Sequence, residues 1–321
     1  MDTWVGLDIS KSTFDVGWIT EDGEFCHLKL DNNVQGFRKL LDSVPADAKF
    51  VMEATGNYHM RCALALNNAG RHVSVANPIA VKRLIQSDLR RCKNDKADSF
   101  YIARYGMEKR PAAWKPPSKA ALQARELIVL MDAVQSSLGK LRNNEESFKQ
   151  NDLKNDIARR YCKRMIKQLE KELDDLEAEL EKVACAEWGE EIEILDSIPG
   201  VGKSTACHLM AKVEDFNRFK NSRQLISWMG MSPFNSQSGS SLNKHGGITK
   251  MGCSRLRTRL YMCTLSASCK GKGLAMKKRL EEKGKAKKVI FVALINQILR
   301  TAYALVTKGV KYNPNFLQST P

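Results

Sequence analysis

Four acidic residues stand where ligands of a divalent metal are expected. Asp8 falls in the apolar run at residues 4–9, and Glu53 closes a second apolar run at 50–53. Asp95 and Asp98 are three residues apart at the start of a predicted helix, so they share one of its faces. A carboxylate that ends a buried strand is costly unless something neutralises it. Mg²⁺ or Mn²⁺ prefers oxygen ligands, so the set predicts phosphodiester chemistry; the competing interpretation is four unrelated surface acids.

The first 110 residues predict the elements that must position these acids. Asp22-Gly23 is a hairpin signal between two β-rich runs. The predicted strands are 3–9, 14–19, 25–30, 49–53 and 72–76, and the predicted helices are 34–43, 57–69, 79–87 and 95–107. Three antiparallel strands followed by βαβ units form the order seen in ribonuclease-H-like folds, and a fold alone does not decide function.

Two long helices are predicted beyond a proline-punctuated linker at 111–117. They span 118–148 and 152–184. Apolar residues recur in both with the 3-and-4 spacing of a coiled-coil seam, among them Met131 and Leu138 in the first and Leu180 in the second. An intrachain helical hairpin and an intermolecular coiled coil both satisfy this pattern. We therefore expect three domains: an α/β domain at 1–112, a coiled coil at 113–188 and a mainly α-helical domain at 189–321.

Composition narrows the class of protein. The chain has 321 residues, and 43% of them are apolar, which excludes a disordered chain. We expect neither a membrane span, because no run of about 18 apolar residues occurs, nor a signal segment. Nine scattered cysteines without a CxxC pair predict a reducing, cytoplasmic location and argue against zinc.

The charge is concentrated at one end of the chain. The formal net charge is +16, and residues 189–321 carry 22 Lys and Arg against 8 Asp and Glu. A basic segment of this size predicts contact with nucleic acid, and the alternative is a solvated surface without a partner. The predicted contacts are Lys250, Arg255, Arg257, Arg259, Lys277 and Lys278.

A glycine-rich turn at 197–202 precedes another predicted helix. It resembles a Walker A loop after a strand at 193–195, but Ser197 stands where that pattern needs glycine. A helix-hairpin-helix turn fits better, with Gly200, Gly202 and Lys203 gripping a phosphate. An inert helix turn remains the alternative.

A serine-rich loop at 236–241 is the other candidate for chemistry. By composition it is a flexible loop, although the cations that follow it favour a nucleophile acting on a phosphate. Ser236, Ser238, Ser240 and Ser241 are equal candidates on this ground. His245, in the same loop, is more often a residue without a role than a proton carrier.

Several short motifs together resemble the DEDD transposases of bacterial insertion sequences, a group that includes a pilin-gene inversion recombinase. The motifs extend over almost the whole chain, and their combination is specific although each is weak alone. They are Gly6-Leu7-Asp8, Glu53-Ala54-Thr55-Gly56-Asn57-Tyr58, Val75-Ala76-Asn77-Pro78, Asn94-Asp95-Lys96-Ala97-Asp98, Lys109-Arg110-Pro111, Ser197-Ile198-Pro199-Gly200-Val201-Gly202, Ser238-Gly239-Ser240-Ser241, Leu256-Arg257 and Leu260-Tyr261. Asn94 and Ser99 depart from residues common in the family, and neither departure removes an acid.

The resemblance implies an RNA-guided DNA recombinase. Its N-terminal domain would have the fold of the RuvC Holliday-junction resolvase, with Asp8, Glu53, Asp95 and Asp98 as Mg²⁺ ligands, or Mn²⁺ ligands. Ser238 would be the nucleophile, in a site that combines acids of one domain with the serine of another. A bridge RNA would guide the protein to donor and target DNA. The protein would act as a homo-oligomer, a tetramer built as a dimer of dimers, in the bacterial cytoplasm.

Two other functions fit the same residues. One is a hydrolytic, structure-specific DNA nuclease of the resolvase type, in which the serine loop is passive. The other is a non-catalytic nucleic-acid scaffold whose acids bind no metal.

Overall fold

The chain separates into two compact units, Met1–Pro116 and Pro117–Pro321. The computed structural model describes residues 3–54, 56–87, 95–150, 157–238, 242–269 and 271–314, with the backbone alone for residues 95, 235–238 and 242–246. The helices predicted as a separate middle domain fall within the second unit. The three-domain division by function stays a prediction.

The N-terminal unit is built on a five-stranded mixed sheet. Its strands are β1 (Trp4–Ile9), β2 (Thr13–Ile19), β3 (Phe25–Asp31), β4 (Lys49–Glu53) and β5 (Val73–Ala76). They lie in the order β3-β2-β1-β4-β5, in which β2 is antiparallel to β1 and β3, while β1, β4 and β5 are parallel. Every strand and helix predicted for this unit is confirmed, with ends that differ by two residues at most.

Four helices cover the two faces of this sheet. They are α1 (Val34–Ser43), α2 (His59–Asn68), α3 (Pro78–Ser87) and α4 (Asp95–Lys109). The helices α1 and α2 bury Phe37, Leu40 and Leu66 against Leu7 and Phe50 on one face. On the other face, α3 and α4 bury Val81 and Ile102 against Trp4 and Val51.

Glycine in β1 lets α4 lie directly on the sheet. A Cβ at Gly6 would stand 2.2 Å from the carbonyl oxygen of Ser99 and 2.3 Å from the amide nitrogen of Ala103. Further along the helix, a Cβ at Gly106 would meet the Trp4 ring at 2.6 Å. The helix thus runs against the direction of β1, and its first turn points to the carboxyl end of that strand.

The second unit begins with a long helical hairpin. Helix α5 (Lys119–Lys149) packs on α6 (Ile157–Asp196), and the predicted seam residues Met131, Leu138 and Leu180 are buried between helices of the same chain. Ion pairs join Arg142 to Glu170 and Arg159 to Glu145, each at 2.7 Å. The seam of the two helices is therefore used within the chain.

Helix α6 runs further than the sequence predicts. It continues past residue 184 through a kink at Trp188, where φ is −130° and ψ is 38°. The strand predicted at 193–195 is wrong, because these residues form the last turn of α6, where Ile194 and Leu195 face the core. The predicted start at 152 lies outside the described residues.

The remaining elements surround the end of this hairpin. They are α7 (Lys203–Val213), a 3₁₀ turn (Phe216–Arg218), α8 (Ser222–Trp228), β6 (Pro233–Ser238), β7 (Leu242–Ile248), α9 (Ser254–Ala267), α10 (Gly271–Glu282) and α11 (Lys287–Lys308). Residues predicted as a serine-rich loop belong in part to strands, since β6 and β7 pair antiparallel from Pro233 to Ile248. Residues 239–241 lie outside the described part.

Helix α11 is long and apolar enough to cross a membrane by composition. Its most apolar stretch has a mean hydropathy of 1.8. Ile290, Leu294 and Leu299 of this helix are nevertheless buried, and Ile295, Ile298 and Ala302 belong to the core of the second unit. These residues pack inside the second unit, and the expectation of no membrane span stays a prediction.

The contact at Gly6 can be tested by substitution. Gly6→Ala should destabilise the N-terminal unit by about 1–3 kcal/mol, because the methyl group meets backbone atoms that cannot turn away. Hydrogen exchange of the β1 and β4 amides in the full chain measures this loss. Gly139→Ala is the control, because a methyl group at this position of α5 would contact nothing. It should have the opposite effect and stabilise its helix by about 0.5–1 kcal/mol. Unchanged protection of β1 in Gly6→Ala would contradict the packing.

Candidate functional site

Two of the four acids lie side by side at one edge of the sheet. Leu7 of β1 pairs with Met52 of β4, so the next residues, Asp8 and Glu53, are neighbours on the face covered by α4. Both side chains are half-buried. Two adjacent carboxylates repel each other, and a shared cation removes that repulsion.

Helix α4 brings Asp98 toward the same edge. Ile102 packs against Val51, and Asp98 is one turn before Ile102 on the same side of the helix. Four helical residues rise by about 6 Å, and two strand residues advance from Val51 to Glu53 by about 6.6 Å. Because helix and strand run in opposite directions, Asp98 and Glu53 advance to a similar level.

The metal assignment stays a prediction. Among the side chains that the structure describes, no three His, Cys, Asp or Glu form a group that can hold a metal ion. Asp95 begins α4, but its side chain lies outside that description. The donor chemistry itself fits Mg²⁺ or Mn²⁺, since both prefer carboxylate oxygens, and the elements that carry the four acids lie at one edge of the sheet.

A fifth acid next to Asp8 escaped the sequence interpretation. Asp15 of β2 is directly opposite Asp8 and only 6% exposed. Its carboxylate lies 2.8 Å from His27 Nε2 and 3.6 Å from Lys29 Nζ, both on β3. The signal was an acid inside the apolar run 13–19, the same signal that identified Asp8. Lys29 balances the charge of Asp15 within the sheet, and His27 shares a hydrogen bond with it.

Asn32 fastens the loops beside the acids. Its side-chain amide donates to the carbonyl oxygens of Ser10 at 2.9 Å and Tyr58 at 3.3 Å, which follow Asp8 and Glu53 in the chain. The neighbouring Asn33 caps α1 by accepting from Gly36 N.

The glycine-rich turn lies between two helices in the second unit. It joins α6 to α7 with Ile198 and Val201 buried below it. Gly200 has a φ of +89°, and a Cβ there would stand 2.6 Å from the carbonyl oxygen of Cys263 in α9. Gly202 is exposed, and a Cβ there would meet nothing within 4 Å. The first glycine therefore serves packing, and only the second is open to a ligand.

Four cations predicted to contact nucleic acid bond to the protein itself. Lys203 pairs with Glu181 at 2.5 Å, and Arg255 pairs with Asp132 at 2.5 Å. Arg259 donates to Ser204 Oγ at 3.0 Å, and Arg257 donates to the carbonyl oxygen of Met229 at 3.3 Å. Their partners are on distant segments, which a local sequence pattern does not reveal.

The other predicted cations are less engaged with the protein. Lys250 is exposed, with a φ of +56°. On α10, Lys278 is exposed and Lys277 is half-buried. Ser238 ends β6 and His245 lies in β7, and both side chains are outside the described part of the chain. Their roles stay predictions.

His208 is a buried titratable group beside the turn. It is 5% exposed, and its Nδ1–H donates to the Ser204 carbonyl oxygen at 2.9 Å. Burial, helped by the charge of Arg259, lowers the pKa of His208 to about 4. The imidazole is therefore neutral at pH 7.

Comparison with known proteins decides the family. Residues 5–148 match a DEDD transposase model of the IS110 group, and residues 192–280 match a model described as transposase IS116/IS110/IS902 family. The pilin gene-inverting protein of Moraxella lacunata is 30% identical over 318 residues, which are 96% of each chain. The chain belongs to the IS110 family of transposases. As such it is an enzyme that acts on DNA.

Two further relatives agree with this membership. The pilin gene-inverting protein of Moraxella bovis is 29% identical over 318 residues, again 96% of each chain. The transposase for insertion sequence element IS1111A of Coxiella burnetii is 34% identical over 148 residues, which are 44% of this chain and 39% of that protein. The family match includes both the segment with the acids and the segment with the glycine-rich turn.

Acidification should destabilise the second unit of this transposase through His208. The unfolded histidine titrates near 6.5 and the folded one near 4, so the unfolded chain binds an extra proton between these values. The free energy of unfolding is therefore unaffected by this group above pH 6.5, and it falls as pH drops toward 4. The loss is at most about 1.4 kcal/mol per pH unit.

Urea unfolding at a series of pH values measures this dependence. His208→Gln removes the titrating group and should flatten the profile between pH 6.5 and 4. An identical pH profile for wild type and variant would show that His208 does not cause it.

Proposed function

We propose that this transposase is an RNA-guided DNA recombinase whose Ser238 attacks the scissile phosphate. The observation that carries the catalytic part is the convergence of β1, β4 and the start of α4, which bear Asp8, Glu53, Asp95 and Asp98. The strand order β3-β2-β1-β4-β5, with only β2 antiparallel to its neighbours, supports a RuvC-like fold for this unit.

The acids would hold Mg²⁺ or Mn²⁺. Such a cation withdraws charge from a phosphoryl oxygen and makes phosphorus easier to attack. The chain's own contribution is to fix the carboxylates through the β1–β4 register and the α4 contact at Gly6. His27 and Lys29 keep the charge of Asp15 paired beside them.

The serine supplies a reversible nucleophile. Ser238 Oγ bonds to phosphorus, the bond from phosphorus to the 3′ oxygen breaks, and the serine proton ends on the freed 3′-hydroxyl. The phosphodiester is conserved as a phosphoserine, so rejoining needs no ATP. This agrees with the broken Walker pattern at Ser197. The name of the Moraxella relatives, pilin gene-inverting protein, also favours cutting with rejoining, since inversion reconnects both ends of a segment.

The second unit would bind nucleic acid. The basic excess of residues 189–321, the exposed Lys250 and Lys278, and the helix-hairpin-helix character of the 197–202 turn support a phosphate-binding surface. Guidance by a bridge RNA and assembly as a tetramer in the bacterial cytoplasm rest on the family resemblance. The coiled-coil character of α5 and α6 rests on their seam.

A denaturing gel tests the chemistry. The full chain is incubated with Mg²⁺, guide RNA and DNA labelled at its 3′ end, because the 5′ phosphate of the downstream fragment would carry the serine. We expect a covalent protein–DNA adduct that Ser238→Ala abolishes. Ser236→Ala, also in β6, should retain it. Asp8→Asn should lose both cleavage and adduct.

Other outcomes separate the alternatives. Cleavage without an adduct, unaffected by Ser238→Ala, would identify a hydrolytic nuclease and contradict the serine role. An adduct that forms at the same site without RNA would contradict RNA guidance and leave the serine role intact.

A further inference from the structure

A groove crosses the second unit between the helical hairpin and α9. Its volume is about 800 Å³, and the 197–202 turn forms part of its wall with Gly200 and Gly202. Arg255, Thr258 and Arg259 line it from α9, and Asp132 and Glu177 line it from α5 and α6. A wall with cations and exposed backbone has the chemistry of a phosphate site.

In this structure, carboxylates of the α5–α6 hairpin form ion pairs or hydrogen bonds with the side chains around the groove. Asp132 of α5 holds Arg255, and Glu181 of α6 holds Lys203, each at 2.5 Å. One turn before Glu181, Glu177 accepts a hydrogen bond from Ser204, whose Oγ also accepts from Arg259. All three acids come from the hairpin, and all three cations come from α7 or α9.

Two of these contacts are weak enough to exchange. The side chains of Arg255 and Asp132 are 55% and 26% exposed, and those of Lys203 and Glu181 are 49% and 44% exposed. Ion pairs with this exposure contribute about 0.2–1 kcal/mol, because water and salt screen them. A polyanion that brings several phosphates to the groove can therefore replace them.

We infer that duplex DNA binds in this groove by displacing the hairpin carboxylates, which act as internal phosphate mimics and weaken binding. The inference rests on the proposed nucleic-acid role of the second unit. Duplex DNA is favoured because it carries one charge per about 1.7 Å of helix axis, dense enough to meet three neighbouring cations. The carboxylates of the hairpin thereby lower the affinity of the second unit for DNA.

Charge-neutralising variants of the full chain test this inference. Binding to a short fluorescent duplex of unrelated sequence is measured by anisotropy in EDTA, so that cleavage does not interfere. Asp132→Asn and Glu181→Gln should each tighten binding by about twofold to fivefold, the fold-change that corresponds to one exposed ion pair. Glu177→Gln should also tighten binding, because it removes a negative charge from the wall of the groove. Arg259→Gln should weaken binding and lower the salt slope by about one.

Glu170→Gln is the matched control. It removes the same charge from α6, the helix of Glu177 and Glu181, but Glu170 pairs with Arg142 of the hairpin itself and not with a cation of α7 or α9. It should change DNA affinity less than the groove variants do. Circular dichroism checks that each variant is folded. If Glu177→Gln disturbs the turn, Asp132→Asn decides the test, because its ion pair is partly exposed.

The outcomes are distinguishable. If the wild type binds duplex DNA but the groove variants have the same affinity as Glu170→Gln, the inference is overturned and the proposed function stands. Wild type that does not bind duplex DNA would overturn both. A larger gain for single-stranded RNA than for the duplex in the groove variants would overturn the choice of DNA.

Discussion

The direct contact between the backbones of α4 and β1 at Gly6 is the constraint on which the N-terminal unit depends. With no side chain at Gly6, the helix rests on the strand itself, and the ring of Trp4 fills the space beside Gly106. The distance from Ile102 to Asp98 along the helix then matches the distance from Val51 to Glu53 along the strand. Glu53 and Asp98 are 45 residues apart in the chain. They come to a similar height along the sheet because Gly6, which has no side chain, lets α4 lie directly on β1.

The two units carry clusters of opposite charge. In the N-terminal unit, acids gather at one edge, and their repulsion favours a cation. In the second unit, cations gather around a turn, and the protein's own carboxylates already neutralise several of them. The 22 Lys and Arg of residues 189–321 therefore overstate the number of cations that are open to a partner. The proposed ligands differ accordingly, a metal ion for the acids and phosphates for the cations.

Much of the N-terminal fold could be predicted from the sequence. Its strands alternate or are fully apolar, its turns carry Asp-Gly or Asn signals, and the acids end recognisable runs. The second unit was harder. Glu193-Ile194-Leu195 has the composition of a short strand, yet it continues α6, where Ile194 and Leu195 are buried and Glu193 is exposed. The β6–β7 hairpin is hidden by serine and glycine, which are poor strand formers.

The predictions for the site residues stay open for a physical reason. The sequence shows where a cationic side chain is, but not which residue it contacts in the fold. Arg259, for example, donates a hydrogen bond to Ser204, which is 55 positions away in the chain. Asp15 was missed although it lies in the same kind of run as Asp8, because its partners His27 and Lys29 become neighbours only through the β2–β3 register. Conversely, the likeness of several weak motifs to one family identified that family before any geometry was considered.

Metal binding at the sheet edge is the central claim, and electron paramagnetic resonance of Mn²⁺ tests it most directly. The full chain is titrated with Mn²⁺ in the presence of substrate DNA, and free Mn²⁺ is read from its signal. Wild type should take up Mn²⁺ that Asp8→Asn and Asp98→Asn lose. Asp42→Asn, an exposed acid of α1, should retain it. Equal uptake by wild type, Asp8→Asn and Asp98→Asn would contradict the account.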